Sequence, residues 1–353
     1  MSVGRVLEET LSTLPATQMS KQQPSSFLLM AVTVLALLGR SVDAAPIKQI
    51  KQTRAITKTF AFPTKYSLGR LIVLPEQFEG SIGENKTSQR AIGQVTVTIP
   101  NGYELMLDIG ADAISHASEL EKLPPDAFDI IKLSAVNVED DGKSFSDQIL
   151  SHVSHFTSLK RLLVSRSDAS DRGLKVLKGL HNLQSIDAAM TATHGDFLES
   201  IVTPNQISHL VLNNVELNEG NLRYISGWSH LQELSLERTN ITNQGLQYIG
   251  RCTSIRTLRL RTNPRISDDG ITSLLSLNQL VKLDLRKSGI TAKGISKLKS
   301  MKSLKFLTVS DSSITLPQLA KLQCELKGVS LTREHAANEA DSYMQHLFRP
   351  ISR

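Results

Sequence analysis

An aliphatic residue returns along this chain on an almost fixed count, at Leu159, Leu183, Ile207, Leu231, Ile255, Leu280, Leu304 and Leu326. The first four intervals are 24 residues each, followed by 25, 24 and 22. One pattern recurs inside each interval: from Leu231 the chain reads LQELSLERTNITNQGLQYIG, and from Leu280 it reads LVKLDLRKSGITAKGISKLK. Each unit holds two periods. Leu-x-x-Leu-x-Leu alternates and predicts a short strand with its leucines on one face. Gly-Leu-x-x-Leu-x-x-Leu has helical spacing with its apolar residues on one side. A single unit buries neither face. Stacked units bury both, with the strands in one parallel sheet and the helices outside. A helix is wider than a strand spacing, so the stack is expected to curve with its strands on the concave side. Aromatic residues are only 5% of the chain against 40% hydrophobic, so the core must be aliphatic.

Thr239-Asn240-Ile241-Thr242 followed by Gly245-Leu246 resembles the leucine-rich repeat family, in its bacterial 24-residue form with a Thr-x-Ile-Thr-x-x-Gly-Leu segment. The resemblance spans about residues 128–331. It implies an α/β leucine-rich repeat solenoid, a curved horseshoe whose concave sheet binds other molecules without transforming them. It also implies protein or peptide partners first, with an envelope polysaccharide behind them. Related repeats occur in ubiquitin-ligase adaptors and effectors, which is the alternative reading. Such a protein should carry an F-box-like helical segment or a catalytic cysteine domain, and two scattered cysteines, Cys252 and Cys324, argue against it. The family often closes its strand with asparagine. Here that position holds Ser167, Thr191, Val215, Thr239, Asn263, Ser288 and Ser312. Hydroxyls make similar local bonds; Val215 cannot, so an irregularity is expected in that unit. Gly173, Gly195, Gly220, Gly245, Gly270 and Gly294 recur near the helix start, for a special backbone angle or for close packing.

The flanks do not repeat. Phe27 to Gly39 is an uninterrupted apolar or neutral run, too short for the ~20 residues of a bilayer span. It fits the core of a secretory signal peptide in residues 1–45, with small residues at Ala44 and Ala45. A start at Met19 would leave an ordinary leader ahead of it. The expected product is secreted or periplasmic; the alternative is a chain anchored through residues 27–39. Residues 46–127 read as a β-rich module capping the array, with Gln94 to Asp108 as a hairpin turning at Pro100-Asn101-Gly102. Residues 128–158 read as a degenerate first repeat, and residues 332–353 as a helical C-terminal cap or tail.

Catalytic chemistry is hard to find. Gly142-Lys143-Ser144 lacks the Gly-rich lead-in of a phosphate loop. His152 and His155 lack the glutamate and third ligand of a zinc site. Ser296-x-x-Lys299 has none of the companion motifs of penicillin-recognising enzymes. No catalytic, cofactor or metal residue is assigned, and the expectation is a non-enzyme without cofactors. The two cysteines fall about three coils apart, beyond disulfide reach, and Cys252 sits where other units carry buried apolar residues. The net charge of +6 is modest and does not suggest a nucleic-acid partner.

Residues between the leucines of each strand point outward. The candidate partner-binding residues are Glu233, Glu237, Arg259, Arg261, Lys282, Arg286 and Phe306. Arginine forks suit carboxylates, so the expected ligand is acidic. A membrane would be reached only through an uncleaved segment 27–39. The competing expectation is a ladder in which Glu237 offsets Arg261 and Arg259 offsets Asp284. N-terminal sequencing of the native protein checks the leader: a start at Ala45 or Pro46 is expected, and an intact Phe27–Gly39 would establish an anchor instead.

Overall fold

The computed structural model describes residues 55–76, 88–133, 144–201 and 206–334. The leader region, Gly142 and Lys143, and the tail beyond Glu334 lie outside the described residues. Strands β1 (Ile56–Ala61) and β4 (Gln94–Ile99) make a two-stranded antiparallel sheet. A second sheet begins with β3 (Gln89–Arg90), β2 (Gly69–Pro75) and β5 (Tyr103–Ile109). It continues in parallel through β6 (Ile130–Leu133), β7 (Arg161–Leu163), β8 (Ser185–Asp187) and β9 (His209–Val211). It ends with β10 (Glu233–Ser235), β11 (Thr257–Arg259), β12 (Lys282–Asp284), β13 (Phe306–Ser310) and β14 (Ser330–Glu334). Among the described residues this sheet has twelve strands, and from β5 to β14 its order follows the chain.

The register places the predicted rungs side by side. Leu162 pairs with Ile186, Ile186 with Leu210, Leu210 with Leu234, and Leu234 with Leu258. Leu258 then pairs with Leu283, and Leu283 with Leu307. All are buried. Short α- and 3-10 helices such as Asn243–Ile249, Glu219–Ile225 and Ala292–Lys297 close the other side of that core. Fully burying one such leucine contributes about 1.5–3 kcal/mol, and none of it is realised without the neighbouring coil.

Strands β7 to β12 end in the same turn. Arg166, Met190, Asn214, Arg238, Thr262 and Lys287 all adopt positive φ, between 52° and 61°. The reason is a shared bond: the N–H of Arg166, Met190, Asn214, Arg238 and Thr262 donates to a carbonyl of the next coil at 2.8–2.9 Å. The hydroxyls that follow act as expected. Ser167, Thr191, Thr239 and Ser288 each donate to the carbonyl three residues back, at 2.7–2.9 Å. Val215 forgoes that bond, yet Asn214 before it keeps φ 56°. The irregularity expected there is absent from the backbone, because the inter-coil bond of Asn214 sets the turn.

The recurring glycines answer a packing need. A Cβ at Gly173, Gly270 or Gly294 would lie 2.1–2.2 Å from the Oδ1 of Asp147, Asn243 or Asp268 respectively. Those side chains reach across to the next coil. Asp147 accepts from the Ser170 N–H at 2.9 Å, Asn243 from the Ser267 N–H at 2.9 Å, and Asp268 from the Thr291 N–H at 2.8 Å. Glu219 likewise accepts from the N–H groups of Thr242 and Gly245 at 2.8 and 3.1 Å. Gly195 alone among the six has positive φ, 86°.

Two expectations about the flanks are corrected. The turn at Pro100-Asn101-Gly102 forms, with the Tyr103 N–H donating to the Pro100 carbonyl at 3.1 Å. It does not close a hairpin: β4 pairs with β1, while β5 pairs with β2 and β6. Tyr103–Ile109 is buried on both faces after its first residue, so it needs an interior place in the large sheet. Gln94–Ile99 buries alternate residues only and suits the small sheet. At the other end, Leu307 pairs with Leu331, so by register the last repeat is also 24 residues long and Gly328 stands opposite Leu304, while Leu326 two residues earlier supplies the buried side chain. Thr332, Arg333 and Glu334 therefore extend a strand, β14, rather than a helical tail. The described residues of the module at 55–127 join the array through aromatic rings, with Phe60 on Phe128 at 5.4 Å and Phe128 on Phe156 at 5.3 Å.

Replacing Leu283 with Asp places an unpaired charge in the stacked core. The expected outcome is loss of protection across the repeat region in hydrogen exchange, with destabilisation of at least the 2–5 kcal/mol typical of deleting a buried leucine (roughly). Loss confined to the coil of β12 would show that the coils do not fold as one unit.

Candidate functional site

The sheet has one face against the helices and one facing away. On the second, open face the candidate residues lie in rows fixed by register. Glu233, Thr257, Lys282 and Phe306 form one row; Ser235, Arg259, Asp284 and Thr308 form the next. Glu237, Arg261 and Arg286 follow β10, β11 and β12 by two residues. The structure thus brings all seven predicted residues onto four adjacent coils.

Much of the charge on this face is neutralised internally, but the expected pair of Arg259 with Asp284 does not form. Arg259 bonds Glu233 diagonally across the strands, leaving Asp284 to Arg286. The Arg286 Nε lies 2.9 and 3.0 Å from the two Asp284 carboxylate oxygens, and its Nη1 bonds Glu334 on β14. Burial works against the Arg286 charge, yet its bonds to Asp284 and Glu334 hold its pKa above the ordinary guanidinium value. Glu334 was missed from the sequence because it falls in the segment read as a tail. Its signal is the alternation Ser330-Leu331-Thr332-Arg333-Glu334, which continues the strand pattern.

Glu237 is half-buried, and its pKa is raised above the ordinary 4.5. Burial is the main cause and repulsion by Asp284 the second, opposed by Arg261, Arg286 and Arg259. Arg261 and Glu237 therefore attract each other, as the ladder reading expects. Lys282 and Phe306 stand apart. Both are exposed, Phe306 to 50%, and the Lys282 ammonium lies 5.9 Å from the Phe306 ring centroid. A cation over an aromatic face, both reachable from solvent, is a binding anchor in form.

The same lacing continues toward the first strands. Arg161 bonds Glu104, Lys160 lies 3.0 Å from Asp129, and Lys132 and Arg70 each lie 3.3 Å from Asp108. The motifs weighed for catalysis have structural partners. Ser144 caps the helix Phe145–Val153. His152 bonds Glu121 at 2.6 Å, His155 meets the Leu123 carbonyl at 2.7 Å, and Ser296 donates to Glu325 at 2.6 Å. Cys252 is buried, its thiol 3.0 Å from the Ile225 carbonyl and its pKa pushed up to about 12 by desolvation. Among the described residues no cluster of His, Cys, Asp and Glu suits a metal, and no helix is long and apolar enough to cross a membrane.

The raised Glu237 pKa has a sign. The unfolded carboxyl ionises first as pH rises, so stability falls from about pH 4.5 up through the folded pKa. Glu237→Gln is expected to raise Tm at pH 7 and to leave it nearly unchanged at pH 3.5, by calorimetry. A lower Tm at pH 7 would show that its attraction to the arginines outweighs its burial.

Comparison with known proteins adds the following. The family model described as Leucine Rich repeat matches residues 229–250 and 251–275, the coils leading into β10 and β11 and onward to β12. No curated protein matches the chain. Among solved structures, the crystal structure of an internalin (inlF) from Listeria monocytogenes is similar at 20% identity and a TM-score of 0.44. That likeness covers 61% of this chain and 63% of that one, so the chain spans less than two thirds of it.

Proposed function

Starting from the leucine-rich repeat solenoid that this chain forms, we propose that it is a non-enzymatic, exported binding protein that captures a protein partner on the open face of its sheet. The observation that carries this reading is the pair Lys282 and Phe306. They are a solvent-reachable cation and ring on a face whose other charges are largely occupied with one another. Rigid parallel strands hold the two at fixed spacing, so little ordering cost accompanies binding. A partial carboxylate charge beside an aliphatic or aromatic side chain would match them, which describes an acidic segment of a folded protein or peptide. Glu233, Glu237, Arg259, Arg261 and Arg286 then set the shape and polarity of the rim. Export rests on the Phe27–Gly39 run and the small residues after it.

The test is affinity capture with the full chain against the same chain carrying Lys282→Glu and Phe306→Ala. Both side chains are exposed, so thermal stability should hold while capture drops by about tenfold or more, the scale of a lost hot spot. Arg286 is the wrong place for this test, since its reversal would also release Glu334 and the last strand. Undiminished capture by the double variant would move the binding surface elsewhere.

A further inference from the structure

The charges of this protein are unevenly spread. Residues 251–334 hold 16 Lys and Arg against 6 Asp and Glu, whereas residues 54–250 hold 17 against 23. The excess of the last coils concentrates on one edge. Each coil enters its strand through a linker, and the ladder sets these linkers side by side. The Val281 and Lys282 N–H groups donate to the Arg256 carbonyl, Lys305 and Phe306 to Val281, and Ser330 to Lys305, at 2.7–2.9 Å. Arg251, Arg256, Lys299, Lys302, Lys305 and Lys327 all sit in these linkers and all are exposed. None of the six makes an ion pair with a described residue, unlike the charges of the open face. The linkers at 250–256, 275–281, 298–305 and 326–329 contain no acidic residue.

We propose that this edge is a second binding surface, for an anionic polysaccharide. Three observations narrow the partner. The cations lie on three of the four stacked linkers, two before β11, three before β13 and one before β14, with none on the linker before β12. Neighbouring linkers lie about 4.8 Å apart, and a charge spread over several coils suits a linear polymer rather than a single anion. Between the cations the linkers expose Thr253, Asn278, Gln279 and Ser300, whose hydroxyls and amides match sugar hydroxyls. They contain no aromatic ring on which a nucleic-acid base would stack. Their larger apolar residues, Leu277, Leu280, Met301 and Leu304, are buried, so nothing is offered to a bilayer interior. The surface is separate from the open face, and one molecule can hold a protein on the sheet and a polymer on the edge.

The experiment measures binding of the full chain to dextran sulfate and to neutral dextran, with phosphatidylglycerol vesicles and duplex DNA alongside. The expected result is salt-sensitive binding to dextran sulfate and none to neutral dextran. The variant Lys302→Glu, Lys305→Glu, Lys327→Glu should bind on the order of 100-fold more weakly, with Tm retained. A milder set, Lys299→Gln, Lys302→Gln, Lys305→Gln, should shift binding in the same direction should the reversal fail to fold. An equal charge change off the edge, Arg265→Glu, Lys293→Glu, Lys321→Glu, should leave most of the binding. Lys282→Glu with Phe306→Ala should leave it intact, which separates this edge from the open-face site. The proposal is overturned if dextran sulfate is not bound, if the off-edge variant loses as much as the edge variant, or if vesicles or duplex DNA bind as tightly as the polysaccharide.

Discussion

A 24-residue coil has no inside of its own. Its strand holds three ladder residues in most units, its helix is one or two turns, and its leucines face a neighbour's leucines rather than one another. Hydrophobic burial and backbone bonding are therefore both properties of the interface between coils, and stability accumulates by nearest-neighbour terms. The weak points of such a stack are its ends. At the first, β5 and β2 carry the sheet onward while Phe60, Phe128 and Phe156 fill the core with rings where the aliphatic pattern has not begun. At the last, β14 runs five residues instead of three along β13, and Arg286 ties its Glu334 back by two coils.

The helix starts carry a second inter-coil device. A short helix leaves its first N–H groups without partners. In this array the acceptor comes from the coil before, as Asp147, Asp171, Glu219, Asn243 or Asp268. Asp171 shows the energetics. Burial opposes its charge, but the Thr193 hydroxyl and the N–H groups of His194 and Phe197 hold its pKa below the ordinary value. Gly173, Gly245, Gly270 and Gly294 leave room for that carboxylate or amide. The device is skipped at Gly195 and stops at Ala292, neither of which has a side-chain acceptor to offer. The helix after it, Leu316–Glu325, instead completes its own capping box with Thr315 and Gln318. Ser170, Thr242 and Thr291 cap their own helices as well, so what the last helix adds is the Gln318 half of the box, where the acceptor from the coil before is missing.

What could be read from the residues alone divides along the same line. The rungs were legible because burial writes a period into the sequence, and Leu162, Leu234 and Leu283 stand where that period puts them. The acceptors were nearly as periodic, with Asp171, Asn243 and Asp268 two residues before Gly173, Gly245 and Gly270 and Glu219 directly before Gly220, but a lone Asp or Asn in a loop has too many explanations to be assigned a partner without coordinates. Pairing partners were the least legible. Pro100-Asn101-Gly102 specifies a turn, yet whether the flanking strands then meet depends on how many faces each must bury, and Glu104 and Asp108 disguised β5 as half-exposed. Both are buried beneath Arg161, Lys160, Lys132 and Arg70. Glu334 was hidden for a related reason, since the polar run after Leu331 outweighed five residues of alternation.

The two charged surfaces of the last coils differ in a way that composition cannot express. On the open face, Arg259 pairs with Glu233 on the neighbouring strand, and Arg286 pairs with Asp284 of its own coil and Glu334 two coils on, so the field these charges project decays within a few ångströms. On the strand-entry edge, six cations make no ion pair with a described residue, and their potentials add over the linkers that carry them. A surface of locally paired charge and one of unbalanced charge thus arise from the same repeat. The strand positions alternate core and solvent under the constraint of register. The linkers are constrained only by the buried leucine, isoleucine or methionine that each must supply. Their charged positions are exposed, where like charges are screened by solvent and can share one edge at little cost.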